Sequence, residues 1–184
     1  ENMFIANGFG HSRRNLMYND FIVIGPKSDP LGISSSRDIK SVFDKLSKGN
    51  SKFISRGDNS GTNESELDKW NLINFDPLEY SGKWYLESGQ SMGSTLNMAI
   101  SLNAYTYTDR STWLRFKNKQ NHVILYKNRN ELQNNYSIIK ISKDNCPDIN
   151  HAGANLFYDW ILSTDSKALI KSYKYNNEPM FFID

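Results

Sequence analysis

The segment Phe53-Ile54-Ser55-Arg56-Gly57-Asp58-Asn59-Ser60-Gly61-Thr62 holds residue types suited to gripping a small anion. A short apolar run ends there, a glycine-punctuated turn follows, and a helix opens near Asn63. The first amides of a helix lack intrahelical partners and carry the positive end of its dipole. Ser60, Gly61 and Thr62 would place two hydroxyls and an unobstructed backbone at that end, which is the recipe for an oxyanion cradle. Arg56 adds a permanently charged, planar donor fork that suits a tetrahedral oxyanion. The same residues also fit an ordinary capped turn in which Arg56 pairs with Asp58, and the spacing leaves both open. No Gly-Lys-Ser/Thr follows, so this is not a P-loop.

Two further clusters have a similar layout. Gly89-Gln90-Ser91-Met92-Gly93-Ser94-Thr95 offers backbone donors ahead of a helix, or simply a helix entry. Thr106-Tyr107-Thr108-Asp109-Arg110-Ser111-Thr112-Trp113 delivers a polar group from a strand end. Asp109 and Arg110 there could line a cleft or lock a hinge, or form a capped helix with a local ion pair. Catalytic sets are poorly represented. His11, His122 and His151 have no metal-ligand spacing, and no Gly-x-Ser-x-Gly elbow exists. A Ser-His-Asp triad assembles only in space and stays open. Cys146, beside Pro147, reads as an incidental thiol. Arg115, Lys117, Lys119, Lys127 and Arg129 form a basic stretch without an acid, either a docking surface or a solvated face.

The elements that must position these residues alternate between strand and helix. Phe4–Gly10 reads as a helix end stopped by glycine. Phe21-Ile22-Val23-Ile24, closed by Gly25-Pro26, reads as a buried strand. Ile39, Val42, Phe43 and Leu46 mark one face of a helix over 36–47. Residues 52–55 form a strand, and a helix from about Asn63 turns Leu67, Trp70 and Leu72 inward, with Glu64, Glu66 and Asp68 suiting its dipole. Residues 80–92 show no clear period. A helix over 95–102, a strand over 105–108, a helical turn over 111–116 and strands over 122–126 and 136–141 follow. The tail carries a helix over 152–162 with Ala152, Leu156, Phe157, Trp160 and Ile161 inward, then a helix over 166–173. The alternation predicts an α/β fold.

Composition narrows the classes. The 184 residues are 38% hydrophobic and 13% aromatic, enough for a sizeable core and too much for disorder. Twenty-two basic residues against 20 acidic give a net charge of +2, too balanced for a dedicated nucleic-acid binder. No apolar run is long enough to span a bilayer. One cysteine excludes an internal disulfide framework. Glu1-Asn2-Met3-Phe4-Ile5 reads as the middle of an element, so a segment upstream is expected, and the lack of a signal segment says nothing about location.

Several motifs occur together in one order: Asn19–Pro26 with Asp29-Pro30, Ser55-Arg56-Gly57-Asp58 with Ser60-Gly61-Thr62, Trp84-Tyr85, Gly89-Gln90 with Met92-Gly93, and Tyr105-Thr106 with Thr108-Asp109-Arg110 and Thr112-Trp113-Leu114. In this order they resemble the extracytoplasmic tungstate-binding proteins of ABC transporters, over nearly the whole chain. The resemblance implies a two-lobed, type II periplasmic-binding-protein fold with two crossing hinge strands and an oxyanion held in the interlobe cleft. Residues 21–24 and 138–141 would be the crossing strands and 25–137 the second lobe. Residues 1–20 and 142–184 would be part of the first lobe, left incomplete without the family's Thr/Ser-rich anion loop. Arg56 and Thr62 match family positions that contact the oxyanion, whereas Ser60 and Gly61 rest on the helix-terminus argument alone. Asn59 and Asn63 depart from an acid and a histidine usual in the family, Asn134-Asn135-Tyr136 from Asn-Pro-Tyr, and Lys167 from Gln.

The resulting expectation is a binder, not an enzyme. It would be the periplasmic or extracellular, membrane-attached component that captures tungstate or molybdate and passes it to ABC permease subunits. No cofactor, cation site or nucleic acid is implied. The alternatives are a hydrolase using a Ser/His pair, such as Ser60 with a distant histidine, and a binder of a different anion.

Overall fold

Phe21-Ile22-Val23-Ile24 is apolar at every position because both faces of its strand are covered. Phe21 and Val23 point into a cluster with Phe43, Phe53, Trp70, Tyr85, Tyr105 and Tyr107. Ile22 and Ile24 point the other way, onto Met92, Leu96, Ile100 and Trp113. This two-sided burial is the centre of the larger of two units. The computed structural model describes residues 1–183. One unit comprises Asp20–Gln133, and the other comprises Glu1–Asn19 with the chain from Asn134 on.

Strand β1 (Gly10–Pro26) is far longer than the expected Phe21–Ile24, and β6 (Gln133–Ile141) begins earlier than expected. The chain passes between the units within these two strands, which pair with each other. The polar stretch His11–Asn15, exposed at every position, hides the extra length, because it carries no apolar residue to mark a covered face. In the larger unit the sheet runs β3 (Tyr85–Glu87), β2 (Phe53–Ser55), β4 (Tyr105–Asp109), β1, β5 (His122–Lys127). Strands β2, β3 and β4 are parallel to one another. Strand β1 is antiparallel to both β4 and β5.

Helices cover both sheet faces. Helix α2 (Ile39–Leu46) buries Ile39, Val42, Phe43 and Leu46, the face read from the spacing. A capping box between Asp38 and Ser41 opens it. Helix α3 (Gly61–Asn71) packs Trp70 edge-on against Phe43, ring centroids 4.6 Å apart. Leu72 lies beyond the last helical residue and is exposed, contrary to the expectation. On the opposite face, α4 (Met92–Ser101) buries Met92, Leu96 and Ile100, and α5 (Arg110–Arg115) buries Trp113. Each fully buried large side chain contributes about 1.5–3 kcal/mol. The stretch without a clear period resolves into a 3-10 turn over Pro77–Tyr80 and strand β3.

The smaller unit holds α1 (Asn2–Ala6), α6 (His151–Ile161), α7 (Thr164–Ser172) and a hairpin of β7 (Lys174–Tyr175) and β8 (Glu178–Pro179). Tyr158 anchors α6. Its hydroxyl donates to Ser12 O at 2.5 Å, and Lys140 Nζ stands 4.4 Å from its ring centre. The expected inward face of α6 is wrong: Leu156 is 73% exposed, and Phe157, Trp160 and Ala152 are exposed as well. Helical spacing shows that an apolar stripe exists, not which stripe finds a cover. A cavity of about 240 Å³ between β6 and α6 adjoins Phe157 and Tyr158.

Candidate functional site

Three parallel strands end on the same side of the sheet, and each feeds a helix N-terminus: β2 into α3, β3 into α4, and β4 into α5. In open α/β sheets that edge is where ligands bind. The turn between β2 and α3 holds Arg56, Ser60, Gly61 and Thr62. Ser60 is the N-cap of α3, its hydroxyl accepting from the Asn63 amide at 3.3 Å. Among the described residues, nothing accepts from the amides of Gly61 and Thr62. A Cβ added at Gly61 would meet no atom within 4 Å, so the helix opening is sterically clear.

Arg56 stands at the end of β2 and pairs with Asp58 through Nη2. The other Asp58 oxygen accepts from the Ser60 amide at 3.2 Å, so one carboxylate ties the guanidinium to the cap of α3. Burial works against the Asp58 charge, but the Ser60 hydroxyl and amide, then Arg56, outweigh it and hold its pKa below the usual carboxylate value. The pairing of Arg56 with Asp58 and the open helix terminus, alternatives in the sequence, therefore coexist. Asp58 occupies one nitrogen of the fork. Arg56 Nε is buried and has no hydrogen-bond partner. Such an unpaired buried donor is costly unless something accepts from it.

The turn is held tightly. Gly57 adopts φ +58°, and a Cβ there would lie 2.7 Å from Glu87 Cβ, so only glycine fits. The Arg56 carbonyl accepts from the Gly89 amide at 2.8 Å, which brings the Gly89–Ser91 approach to α4 against the Arg56 turn. Ser88 Oγ lies 2.8 Å from Thr95 Oγ1, inside the first turn of α4.

Asp109 caps α5, accepting from the Thr112 amide at 2.9 Å and the Thr112 hydroxyl at 2.6 Å. Arg110 is buried and reaches Asp20 of β1 at 3.4 Å. Asp20 also receives Arg129 Nε at 3.1 Å. The segment thus holds β1 beside the point where the chain leaves the larger unit.

The histidines lie elsewhere. His11 Nδ1 is 2.9 Å from Ser12 Oγ on the surface, His122 Nε2 meets Ala104 O at 3.1 Å, and His151 Nε2 meets Cys146 O at 2.7 Å. Among the described residues no group of three or more His, Cys, Asp or Glu could hold a metal ion, and no helix is long and apolar enough to cross a membrane.

Sequence reasoning missed what lies under the turn. Glu66, read as a dipole-facing acid, is 2% exposed. Its carboxylate accepts from Ser55 Oγ at 2.5 Å, Trp70 Nε1 at 2.8 Å and Tyr85 OH at 2.9 Å. Burial pushes its pKa up to about 7 against the pull of those donors. The available signal was an acid four residues before the inward Trp70, on the same helix face.

A family model described as a PBP superfamily domain matches residues 1–165. Tungstate-binding protein TupA of Peptoclostridium acidaminophilum is 39% identical, over 94% of this chain and 60% of its own length. Tungstate-binding protein TupA of Campylobacter jejuni is 34% identical, over 100% of this chain and 69% of its own length. The crystal structure of the tungstate ABC transporter from Geobacter sulfurreducens superimposes with a TM-score of 0.82 at 38% identity, over 94% of this chain and 72% of that one. The chain spans about 60% of the first relative, so its shared architecture is a large part of a longer one. By fold and by sequence, the chain belongs to the PBP superfamily and, within it, to the family of tungstate-binding protein TupA.

Proposed function

We propose that this chain captures a tetrahedral oxyanion, tungstate or molybdate, and serves as the solute-binding component of an ABC transporter outside the cytoplasm. Arg56, Ser60, Gly61 and Thr62 are the ligand-binding residues in this reading, with the second lobe over 25–137 carrying them. The crossing segments lie within β1 and β6, the chain outside them belongs to the first lobe, and Asp109 and Arg110 steady the hinge. The permease subunits that accept the ligand are its partners. One observation carries the reading: a buried, unpaired guanidinium Nε beside a helix terminus whose first amides are unpaired and whose approach is clear. Such a site needs only placed donors and charge, because a deprotonated oxyanion calls for no acid or base. The names of the relatives support tungstate as cargo.

The test is thermal melting with tungstate, molybdate, sulfate and phosphate. A ligand at one hundred times its Kd stabilises by about 2.7 kcal/mol, roughly a 5–10 °C rise for a chain of this size. Tungstate and molybdate are expected to raise Tm, and sulfate and phosphate are not. Arg56→Ala is expected to weaken tungstate affinity by more than tenfold in calorimetry. Equal affinity in that variant removes Arg56 from the site.

A further inference from the structure

Ser55 Oγ is the junction between Glu66 and the anion-binding turn. It donates to Glu66 Oε2 at 2.5 Å. It lies 3.3 Å from the Gly57 amide and 3.2 Å from Asn63 Nδ2, both of which are donors. Asn63 Oδ1 in turn accepts from the Asn59 amide at 3.1 Å. A hydroxyl has one proton to give and two lone pairs to receive with. An ionised Glu66 takes the proton, so both lone pairs serve the turn and every group in the chain is satisfied. A protonated Glu66 must itself donate. Its Oε1 already accepts from the Trp70 N–H and the Tyr85 O–H, and the Asn63 side chain also reaches the carboxylate. The acid proton therefore sits on Oε2, facing Ser55 Oγ, which then spends one of its two lone pairs on that proton, so one of the two donors from the turn loses its acceptor.

We propose that Glu66 is the positioning residue of the anion-binding turn, fixing through Ser55 the direction in which the Gly57 amide and the Asn63 side chain are held. This rests on the reading of the Arg56 turn as an oxyanion site and adds regulation to it. The carboxylate touches no ligand and acts only through the hydrogen-bond chain. The pH window follows from the burial of Glu66, which brings its titration near pH 7. The other ionisable groups packed around it do not change state there. Tyr85 from β3 and Tyr107 from β4 are both pushed further above the ordinary phenol range, burial being the main cause and nearby Glu66, Glu87 and Asp68 adding to it. Two effects of the Glu66 charge oppose each other. Positioning makes the ionised form the better binder, whereas simple repulsion between carboxylate and anion makes it the worse one.

The experiment uses Glu66→Gln, which keeps the shape but brings a donor where only an acceptor fits. Amide spectra of the ligand-free protein are followed from pH 5.5 to 8.5, and tungstate affinity is measured by calorimetry over the same range. The Gly57 and Asn59 amides are expected to shift with a midpoint near pH 7 in the unaltered protein and to stay flat in Glu66→Gln. Affinity is expected to fall as pH drops through that midpoint, and the variant to bind on the order of tenfold more weakly at pH 8, with no pH dependence. Ser55→Ala, which leaves Trp70 and Tyr85 on the carboxylate, is expected to do the same and serves if Glu66→Gln does not fold. Static Gly57 and Asn59 amides, a variant that binds as tightly as the unaltered protein, or tighter binding at low pH would each overturn the proposal. Amides that titrate in a protein binding none of the oxyanions would instead overturn the anion reading and leave the coupling of Glu66 to the turn standing.

Discussion

Glu66 places fold stability and site geometry in opposition. Its pKa rises on folding from the ordinary 4.5 to about 7, so the folded chain holds its proton more tightly than the unfolded one. Stability therefore falls as pH rises from about 4.5 to 7 and levels off above, a loss of roughly 3 kcal/mol. Urea denaturation at pH 5 and pH 8 should show that decline in the unaltered protein and not in Glu66→Gln. Parallel curves would mean that Glu66 is not desolvated as the structure places it. His122, whose pKa burial lowers, contributes to both proteins and cancels in the difference. The carboxylates held low, Asp29, Asp38 and Asp58, lose their contribution only as pH falls below about 4, outside this window. At this scale the sequence was legible in part. Arg56 and Ser60 are singled out as candidates by type and spacing. Glu66 does not, because nothing local tells a buried acid from a solvated one. Its three donors come from residues 11 before, four after and 19 after it in the chain.

Among the elements, the helix entries carry the proposed site. Ser60, Ser163, Asp38 and Asp109 each accept from an amide of the helix they cap. Ser60→Ala removes the cap of α3 and should cost about 1 kcal/mol in urea denaturation. It also frees the Asn63 amide, so a fall in tungstate affinity with little loss of stability would mark Ser60 as a ligand contact rather than a cap alone. Helix α2 was readable from apolar spacing because it packs one face on a sheet that is present. Strand β3 was not: Tyr85-Leu86-Glu87 is too short for a period, and its place is set by pairing with β2. The length of β1 was hidden for a different reason, its first ten residues being mostly polar and solvated.

On the scale of the whole molecule, apolar burial is uneven. Every member of the three buried clusters belongs to the larger unit, whereas α6 and α7 of the smaller one expose Leu156, Phe157, Trp160 and Leu169. Leu96→Ala should cost about 2–5 kcal/mol, and Leu156→Ala within about 0.5 kcal/mol. Equal costs in denaturant titrations would show that α6 is covered in solution. Fold class was legible because alternating strands and helices leave few architectures. Which faces meet which was not, since two apolar stripes of equal strength can differ only in what lies opposite them. The larger unit is one unbroken stretch of chain, and its ends nearly touch: the Phe21 amide donates to the Leu132 carbonyl at 2.7 Å. Such a cassette enters and leaves its host through one narrow doorway. Asp20–Gln133 is therefore the natural piece to graft into a loop of an unrelated carrier or to close into a ring, taking the Arg56 turn and its supporting carboxylate with it.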